Sequence, residues 1–259
     1  MTAFVIGISY DGSDFHGWQR QPNAATIQGV IEIALSRVAT VPTLLKVAGR
    51  TDAGVHATGQ VAWFESNAER TPNNWLRGLN ALTPDSISID WVCLAPETFH
   101  PRYSATARRY IYVYHDVVKA HPLLLKRVWA TSKLNVDEMH GAAKILLGEH
   151  DFSSFRGAGC QSVSPMRRIN RITLTRQGNF VTLDIEANAF LLHMVRNIAS
   201  CLHAVGAGVD QIPVDELMAA KNRQILGPTA PPSGLYLRSV SYPEFNLPAG
   251  QPIPFLNHA

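Results

Sequence analysis

Residues 48–60 read AGRTDAGVHATGQ, and this stretch narrows the fold and the function of the chain more than any other. Its glycines surround a single carboxylate, Asp52, and Arg50 lies two residues before it. Glycine permits tight turns and close approach to a ligand, and an aspartate on a loop between strands can act as nucleophile, base or metal ligand. The alternative is an Asx turn in which Asp52 only closes its own loop. The residues alone leave both interpretations open.

The composition is that of a folded protein. The chain has 259 residues, of which 46% are hydrophobic and 17% charged, and this excludes a disordered or collagen-like chain. The three cysteines are widely separated, so no disulfide framework or zinc ribbon is expected and a cytoplasmic location is predicted. The N-terminus lacks the basic leader of a signal peptide. The richest apolar stretch, 189–205, is interrupted by His193, Arg196 and Asn197, so no membrane span is predicted.

The basic residues are concentrated in two tracts. The formal net charge is only +3, but 17 of the 23 basic residues are arginines, which suit phosphate recognition. Residues 98–115 and 152–183 contain no Asp or Glu, and tyrosines alternate with the basic residues of the first tract. This pattern is typical of a nucleic-acid-binding face. The alternative is two solvated strand faces that happen to be basic.

Hydrophobic periodicity predicts two α+β units in succession. The expected strands span 2–10, a segment after Pro42, 60–65, 86–94, 107–115, 166–175, 180–186 and 234–240. The expected helices span 27–38 after an N-cap at Thr26, 72–82, 136–147 after Asn135, 189–205 and 214–220. We expect an N-terminal domain over 1–104 and a C-terminal domain over 105–259. The proline-rich tail after Tyr242 is expected to run extended over the surface.

Several common catalytic motifs are absent from the sequence. It contains no dinucleotide-binding G-x-G-x-x-G after a strand, no P-loop, no H-E-x-x-H and no G-x-S-x-G. The sequence therefore predicts chemistry by side chains alone, or by a metal site of unusual spacing.

The loop around Asp52 closely resembles the active-site signature of the tRNA pseudouridine synthase A family. The resemblance continues in order over residues 4–242. The matching blocks are YDGSDFHGWQ at 10–19 with Gln21 and TIQ at 26–28, ARRYIY at 107–112, HDFSSF at 150–155, FLLHMVRN at 190–197 and APPSGL at 230–235. Ser13 stands where the family more often has threonine, a difference of one methyl group.

This resemblance implies a fold, an activity and partners. The implied fold is α+β, with two similar ferredoxin-like domains whose antiparallel sheets join and a basic cleft between them. The implied activity is isomerisation of uridine to pseudouridine at positions 38, 39 and 40 of the tRNA anticodon arm. That reaction needs no cofactor and no metal. The family works as a cytoplasmic homodimer.

The resemblance also assigns roles to five residues. Asp52 is the catalytic carboxylate, Tyr110 stacks on the flipped base, and Arg50 helps to hold the flipped state. Arg196 pairs with Asp52, and Leu235 lines the other side of the base. The residues themselves allow alternatives: a core position for Tyr110, a phosphate or surface contact for Arg50, and a polar helix face for Arg196. Yet Arg196 lies among apolar residues, where an unpaired charge is costly.

Two other functions compete with the isomerase. One is a non-catalytic RNA-binding module, which has no need of Asp52 and Tyr110 at this spacing. The other is a metal-dependent hydrolase built from four residues that could ligate a metal: Asp52, His56, His150 and Asp151. The family blocks that contain these histidines need no metal, so we expect a structural role for them.

Overall fold

The structure is a computed structural model that describes residues 1–256. The chain forms two compact units, one of Met1–Thr106 together with the residues from Tyr236 onward, and one of Ala107–Leu235. The sequence places the first boundary near residue 104, but it assigns residues 236–256 to the second domain. They group with the first unit instead, because the last strand pairs with a strand of that unit.

Residues 1–256 form ten strands and five α-helices, with four short 3-10 helices in the connections between them. The strands are β1 (Thr2–Tyr10), β2 (Lys46–Val47), β3 (His56–Ser66), β4 (Ile87–Leu94), β5 (Ala107–Asp116), β6 (Trp129–Thr131), β7 (Gly148–Asp151), β8 (Met166–Gln177), β9 (Phe180–Ala187) and β10 (Leu235–Ser241). The helices are α1 (Ile27–Ala39), α2 (Pro72–Asn80), α3 (Val136–Lys144), α4 (Met194–Gly206) and α5 (Val214–Ala220). No helix among residues 1–256 is long and apolar enough to cross a membrane.

The first unit has the ferredoxin-like arrangement. Its elements follow the order β1-α1-β2-β3-α2-β4, and β1 pairs antiparallel with both β3 and β4. Strand β2 pairs antiparallel with β3, and β10 pairs parallel with β3 through Tyr236 and His56. The α+β class is therefore confirmed.

Aromatic side chains form much of the core of the first unit. Trp75 of α2 is fully buried, and its ring lies 4.9 Å from that of Phe64 and 5.7 Å from that of Phe4. Helix α1 begins as predicted, with the Thr26 side chain accepting a hydrogen bond from the backbone N–H of Gly29. The inner face of α1 carries Ile27, Ile31, Ala34 and Leu35, all buried.

The second unit repeats part of this order, with β6 and β7 as additional strands and with α5 after α4. Strand β5 pairs antiparallel with β9, β9 with β8, and β8 with β7, while β6 adds to β5 in parallel. Helices α3 and α4 pack against each other, and α3 packs on β8. Strands β5, β8 and β9 of the second unit therefore pair in the same order as β1, β2 and β3 of the first unit.

Several bounds of the predicted elements differ from those in the structure, and α3, for example, ends at Lys144 rather than residue 147. Strand β3 begins at His56 rather than residue 60, because Ala57 pairs with Tyr10 and His56 with Tyr236. Helix α4 begins at Met194 rather than residue 189, since His193 before it has a left-handed φ of 60°. The short strands β6 and β7 were not predicted.

The proline-rich tail is also more buried than expected. It forms no helix or strand over residues 242–256, but Ile253 and Leu256 are only 0% and 5% exposed. Most residues between 243 and 254 are exposed, so the prediction that the tail runs over the surface holds for much of its length, while these two side chains anchor it.

Candidate active site

The loop that carries Asp52 is held from one side by residues 12–18. The backbone N–H of Trp18 donates to the carbonyl of Thr51 at 3.0 Å, and that of Gly54 to the carbonyl of Phe15 at 3.3 Å. Gly17 has a left-handed φ of 84°, and a Cβ there would lie 2.8 Å from the Thr51 carbonyl. Only glycine fits at this position, so the backbone around Asp52 is fixed by close contact.

Two buried side chains fix the start of the same loop. The Tyr10 hydroxyl and Thr51 Oγ1 are 2.7 Å apart, and Gln60 Nε2 donates to the carbonyl of Gly49 at 2.7 Å. Burial raises the pKa of the Tyr10 hydroxyl, which therefore stays neutral and able to donate. These bonds join the loop to β1 and β3, the central strands of the unit.

His56 closes the end of the loop. Its Nδ1 lies 3.2 Å from Asp11 Oδ1 and 3.2 Å from the backbone nitrogen of Gly12, and its ring stacks on Tyr236 at 4.7 Å. Asp11 also accepts hydrogen bonds from the backbone N–H of Ser13 at 3.0 Å and from its hydroxyl. The His56 imidazole, followed by these Ser13 donors, lowers the pKa of Asp11 against the opposing effect of burial.

Replacing Asp11 with asparagine is expected to destabilise the protein at neutral pH and to matter less in acid. Because the pKa of Asp11 is lower in the folded than in the unfolded chain, the charged carboxylate stabilises the fold above the ordinary aspartate pKa. That stabilisation is lost as the pH falls through this range towards the folded-state pKa. The difference in melting temperature between wild type and Asp11→Asn should therefore shrink below about pH 4. A difference independent of pH would contradict this account.

Asp52 itself lies half-buried on the fixed loop, and Arg50 is exposed. The Asp52 carbonyl accepts a hydrogen bond from the backbone N–H of Val55 at 3.2 Å. Both residues belong to the first unit. The other predicted site residues, Tyr110, Arg196 and Leu235, all belong to the second unit.

Tyr110 lies on β5 opposite Ile185 and is 9% exposed. Its ring meets the edge of Phe190 at 5.2 Å. Tyr112 and Tyr114 follow on the same face of the strand. Their hydroxyls donate hydrogen bonds to the carbonyls of Pro231 and Ala199, respectively, each at 2.8 Å. Tyr110 is therefore the first in a row of aromatic side chains along the strand.

Arg196 is half-buried on α4 and holds the segment 230–235. Its Nε donates to the carbonyl of Ala230 at 2.8 Å, and the Ala230 N–H donates back to the Arg196 carbonyl at 3.4 Å. Leu235, at the end of this segment, is 5% exposed. Arg196 and the APPSGL block at 230–235 are thus in contact within the second unit.

Asn197 is a functional candidate that sequence reasoning missed. It is fully buried, and its Nδ2 donates to the carbonyl of Phe155 at 2.8 Å. Its Oδ1 accepts from Thr229 Oγ1 at 2.8 Å and from Arg223 at 3.2 Å. The available signal was its place next to Arg196 in an otherwise apolar helix, where a buried amide needs partners.

In the folded chain, acidic side chains compensate part of the positive charge of the two arginine-rich tracts. Arg109 binds Asp184 through two hydrogen bonds of 2.8 and 2.6 Å, and Arg171 approaches the same carboxylate at 3.2 Å. Arg176 pairs with Asp116 at 2.7 Å. The acids come from other strands of the same sheet, so a tract without acids in sequence still has acidic side chains near it. Arg168 of β8 is exposed.

The residues proposed for the rival hydrolase have other roles. His150 Nε2 lies 2.7 Å from the Leu147 carbonyl, and Asp151 accepts from the backbone and hydroxyl of Ser153 at 2.9 and 2.6 Å. Within residues 1–256, no three His, Cys, Asp or Glu side chains are grouped so that they could hold a metal ion. The hydrolase therefore lacks the ligand cluster that it requires in this part of the chain.

Comparison with known proteins identifies the family. The sequence model of the tRNA pseudouridine synthase family matches residues 7–104 and 142–243. The tRNA pseudouridine synthase A of Shewanella frigidimarina (strain NCIMB 400) is 49% identical over 248 residues, 94% of this chain and 95% of that protein. The tRNA pseudouridine synthase A of Coxiella burnetii (strain Dugway 5J108-111) is 47% identical over 253 residues, 96% of each.

The similarity of this chain to solved structures is weak. A chain in the crystal structure of the archaeal box H/ACA sRNP Nop10-Cbf5 complex aligns with a TM-score of 0.35 and 11% identity, over 78% of this chain and 43% of that chain. A likeness at this level carries no weight. The family match and the relatives that align over nearly the full length show the family: the chain belongs to the tRNA pseudouridine synthase family.

Proposed function

We propose that this protein is an isomerase that converts uridine to pseudouridine at positions 38, 39 and 40 of the tRNA anticodon arm. The reaction breaks the N-glycosidic bond, turns the base and joins its C5 to the sugar, while the C5 proton is lost and N1 gains one. It is redox-neutral and consumes no co-reactant. The observation that carries the proposal is the loop of Asp52, a family signature whose backbone is fixed from two sides.

Asp52 is the catalytic residue in this proposal. Cleavage and re-formation of the glycosidic bond require a carboxylate close to the sugar and the base, acting either by covalent addition or by proton abstraction. The hydrogen bonds of Thr51 and Gly54 fix the backbone on either side of Asp52, so the carboxylate is positioned before the substrate arrives. Its partial exposure leaves it accessible.

Three further residues hold the flipped nucleotide. A paired base cannot reach a carboxylate within a helix, so it must leave the stack at a cost of a few kcal/mol. Tyr110 offsets this cost by stacking, which is worth about 1–3 kcal/mol per base. We propose that Arg50 helps to hold the backbone of the flipped nucleotide. Leu235 then contacts the side of the base opposite Tyr110.

Arg196 orients Asp52. Its Nε is used by the Ala230 carbonyl, and a guanidinium fixed in this way is suited to a directional bond with a carboxylate through its Nη atoms. We assign Arg196 a positioning role for the catalytic carboxylate, as the family resemblance implies.

Exposed arginines whose charge is not compensated by an acidic side chain bind the substrate, mainly through its phosphates. Half or more of the contacts of such proteins go to the nucleic-acid backbone, so exposed arginines contribute affinity and not chemistry. We place the enzyme in the cytoplasm, where tRNA is modified, and we propose a homodimer that holds one tRNA against both subunits. Sedimentation of the purified protein tests the dimer, and a monomer at assay concentration would refute it.

Replacing Arg168 with alanine is expected to weaken tRNA binding by about threefold to tenfold and to reduce the salt slope of binding by about 1, because one phosphate contact is lost. The kcat at saturating tRNA should not change. Arg171→Ala is the comparison variant: Arg171 lies 3.2 Å from Asp184, which also binds Arg109, so its charge is partly compensated and a smaller change in the salt slope is expected. Equal effects of the two substitutions on the salt slope would contradict the assignment.

Position specificity is tested with tRNA transcripts that retain uridine at a single position. Transcripts with uridine only at 38, 39 or 40 should each give pseudouridine. A transcript with cytidine at all three positions, and uridine elsewhere, should give none. Product in the second kind of transcript would refute the proposed specificity while leaving the isomerase activity intact.

A further inference from the structure

The C-terminal segment of the chain returns to the strand that leaves the active-site loop. The backbone N–H of Gln251 donates to the carbonyl of Thr58 at 2.7 Å, and Arg238 Nη1 donates to the carbonyl of Gly250 at 3.1 Å. Thr58 lies on β3, six residues after Asp52. The tail is thus hydrogen-bonded to both β3 and β10.

This contact is made between backbones. A Cβ on Gly250 would lie 2.6 Å from the Thr58 carbonyl, 2.7 Å from the Cα of Gly59 and 2.9 Å from the Arg238 carbonyl. A Cβ on Gly59 would overlap the Arg238 carbonyl in turn. Neither glycine has a left-handed φ, so each is needed for close approach and not for a turn. The tail therefore packs directly against the backbone of β3 at Thr58 and Gly59.

A row of rings extends the contact towards the loop. Phe255 of the tail meets the ring of Tyr236 edge-on at 6.2 Å, and Tyr236 stacks on His56 at 4.7 Å. His56 is four residues after Asp52 and contacts Asp11 and Gly12 on the other wall of the loop. The tail thus supports His56 as well as Thr58.

The composition of the segment favours a permanent contact. Residues 248–256 read PAGQPIPFL, and the three prolines restrict the unbound chain, which lowers the entropy lost on docking. Ile253 and Leu256, both buried, add apolar surface to the contact.

We infer that Gly250 and Phe255 are positioning residues for the isomerisation: the tail fixes β3 and His56, and through them the placement of Asp52. The inference rests on the proposed function. It predicts that loosening the tail impairs the chemical step and leaves tRNA binding intact, because the carboxylate is displaced while the arginines are not.

The test compares Gly250→Ala with Gly141→Ala in the full-length protein. Gly141 lies exposed on α3 with open space around its Cβ, so its substitution is the matched control. Gly250→Ala should lower kcat by about 10- to 100-fold, since a displacement near 1 Å can have this effect. The Kd for unmodified tRNA should stay within about twofold, because phosphate contacts dominate affinity. Gly141→Ala should match wild type in both.

Hydrogen exchange separates positioning from general loss of stability. In Gly250→Ala the amides of residues 51–58 should exchange faster, while those of β8 and β9 should not. Unchanged kcat, or equally faster exchange in both units, would overturn the inference. If Gly250→Ala does not fold, Phe255→Ala removes a ring without adding an atom and should give the same kcat loss. Wild type that forms no pseudouridine would instead refute the proposed function, so the two failures are distinguishable.

Discussion

The Asp52→Ala variant is expected to bind tRNA like wild type and to form no measurable pseudouridine. Removing the carboxylate to which we assign the chemistry should lower kcat by about 10³-fold or more. Affinity should change little, because it comes mainly from phosphate contacts made by other residues. Asp52 lies on a loop that is fixed by backbone hydrogen bonds from Trp18 and Gly54, so the substitution should not unfold the site. Single-turnover pseudouridine formation and a tRNA-binding titration measure the two effects separately.

Asp85→Ala provides the control for this experiment. Asp85 is an exposed carboxylate of the same unit outside the family signature, and its removal should leave both activity and binding unchanged. If Asp52→Ala retained wild-type turnover, the loop would have only the structural role of an Asx turn. If both variants lost activity equally, the loss could not be assigned to Asp52.

The second large effect is expected for Tyr110→Ala. Loss of base stacking should lower the rate of pseudouridine formation by about 10- to 100-fold, since stacking on an aromatic side chain is worth about 1–3 kcal/mol. The melting temperature should also fall, because Tyr110 is 9% exposed and contacts Phe190. The rate is therefore measured at a temperature where the variant is folded, as verified by circular dichroism.

Tyr110→Phe isolates the contribution of the ring. It retains the aromatic face and the contact with Phe190, so stacking predicts activity within a few-fold of wild type. Activity as low as that of Tyr110→Ala would show that the hydroxyl is required and that stacking does not account for the role of this residue. Wild-type activity in both variants would assign Tyr110 to the core alone.

Local signals in the sequence predicted most of the regular structure. Thr26 caps α1 as its position before an apolar 3.6-residue repeat suggests, and β1 spans the predicted nine residues. The sequence places the start of β3 at residue 60 because the glycines up to Gly59 favour a loop. The actual role of Gly59 is close approach to the Arg238 backbone, a contact between residues far apart in sequence.

The remaining differences also arise from tertiary contacts. Strands β6 and β7 have three and four residues, too few for a periodic pattern, and they form by pairing with β5 and β8. The basic tract at 152–183 is partly neutralised by Asp184 and Asp116, which lie outside it in sequence. The proposed site rests on the resemblance to the family signature, because Asp52 alone is compatible with a simple turn.

Mapping of pseudouridine on an unmodified tRNA transcript after incubation with the purified protein tests the central claim most directly. The account predicts new pseudouridine at positions 38, 39 or 40 wherever the transcript has uridine there, without an added cofactor. Tight tRNA binding with no pseudouridine at any uridine would contradict it and would favour the non-catalytic RNA-binding module.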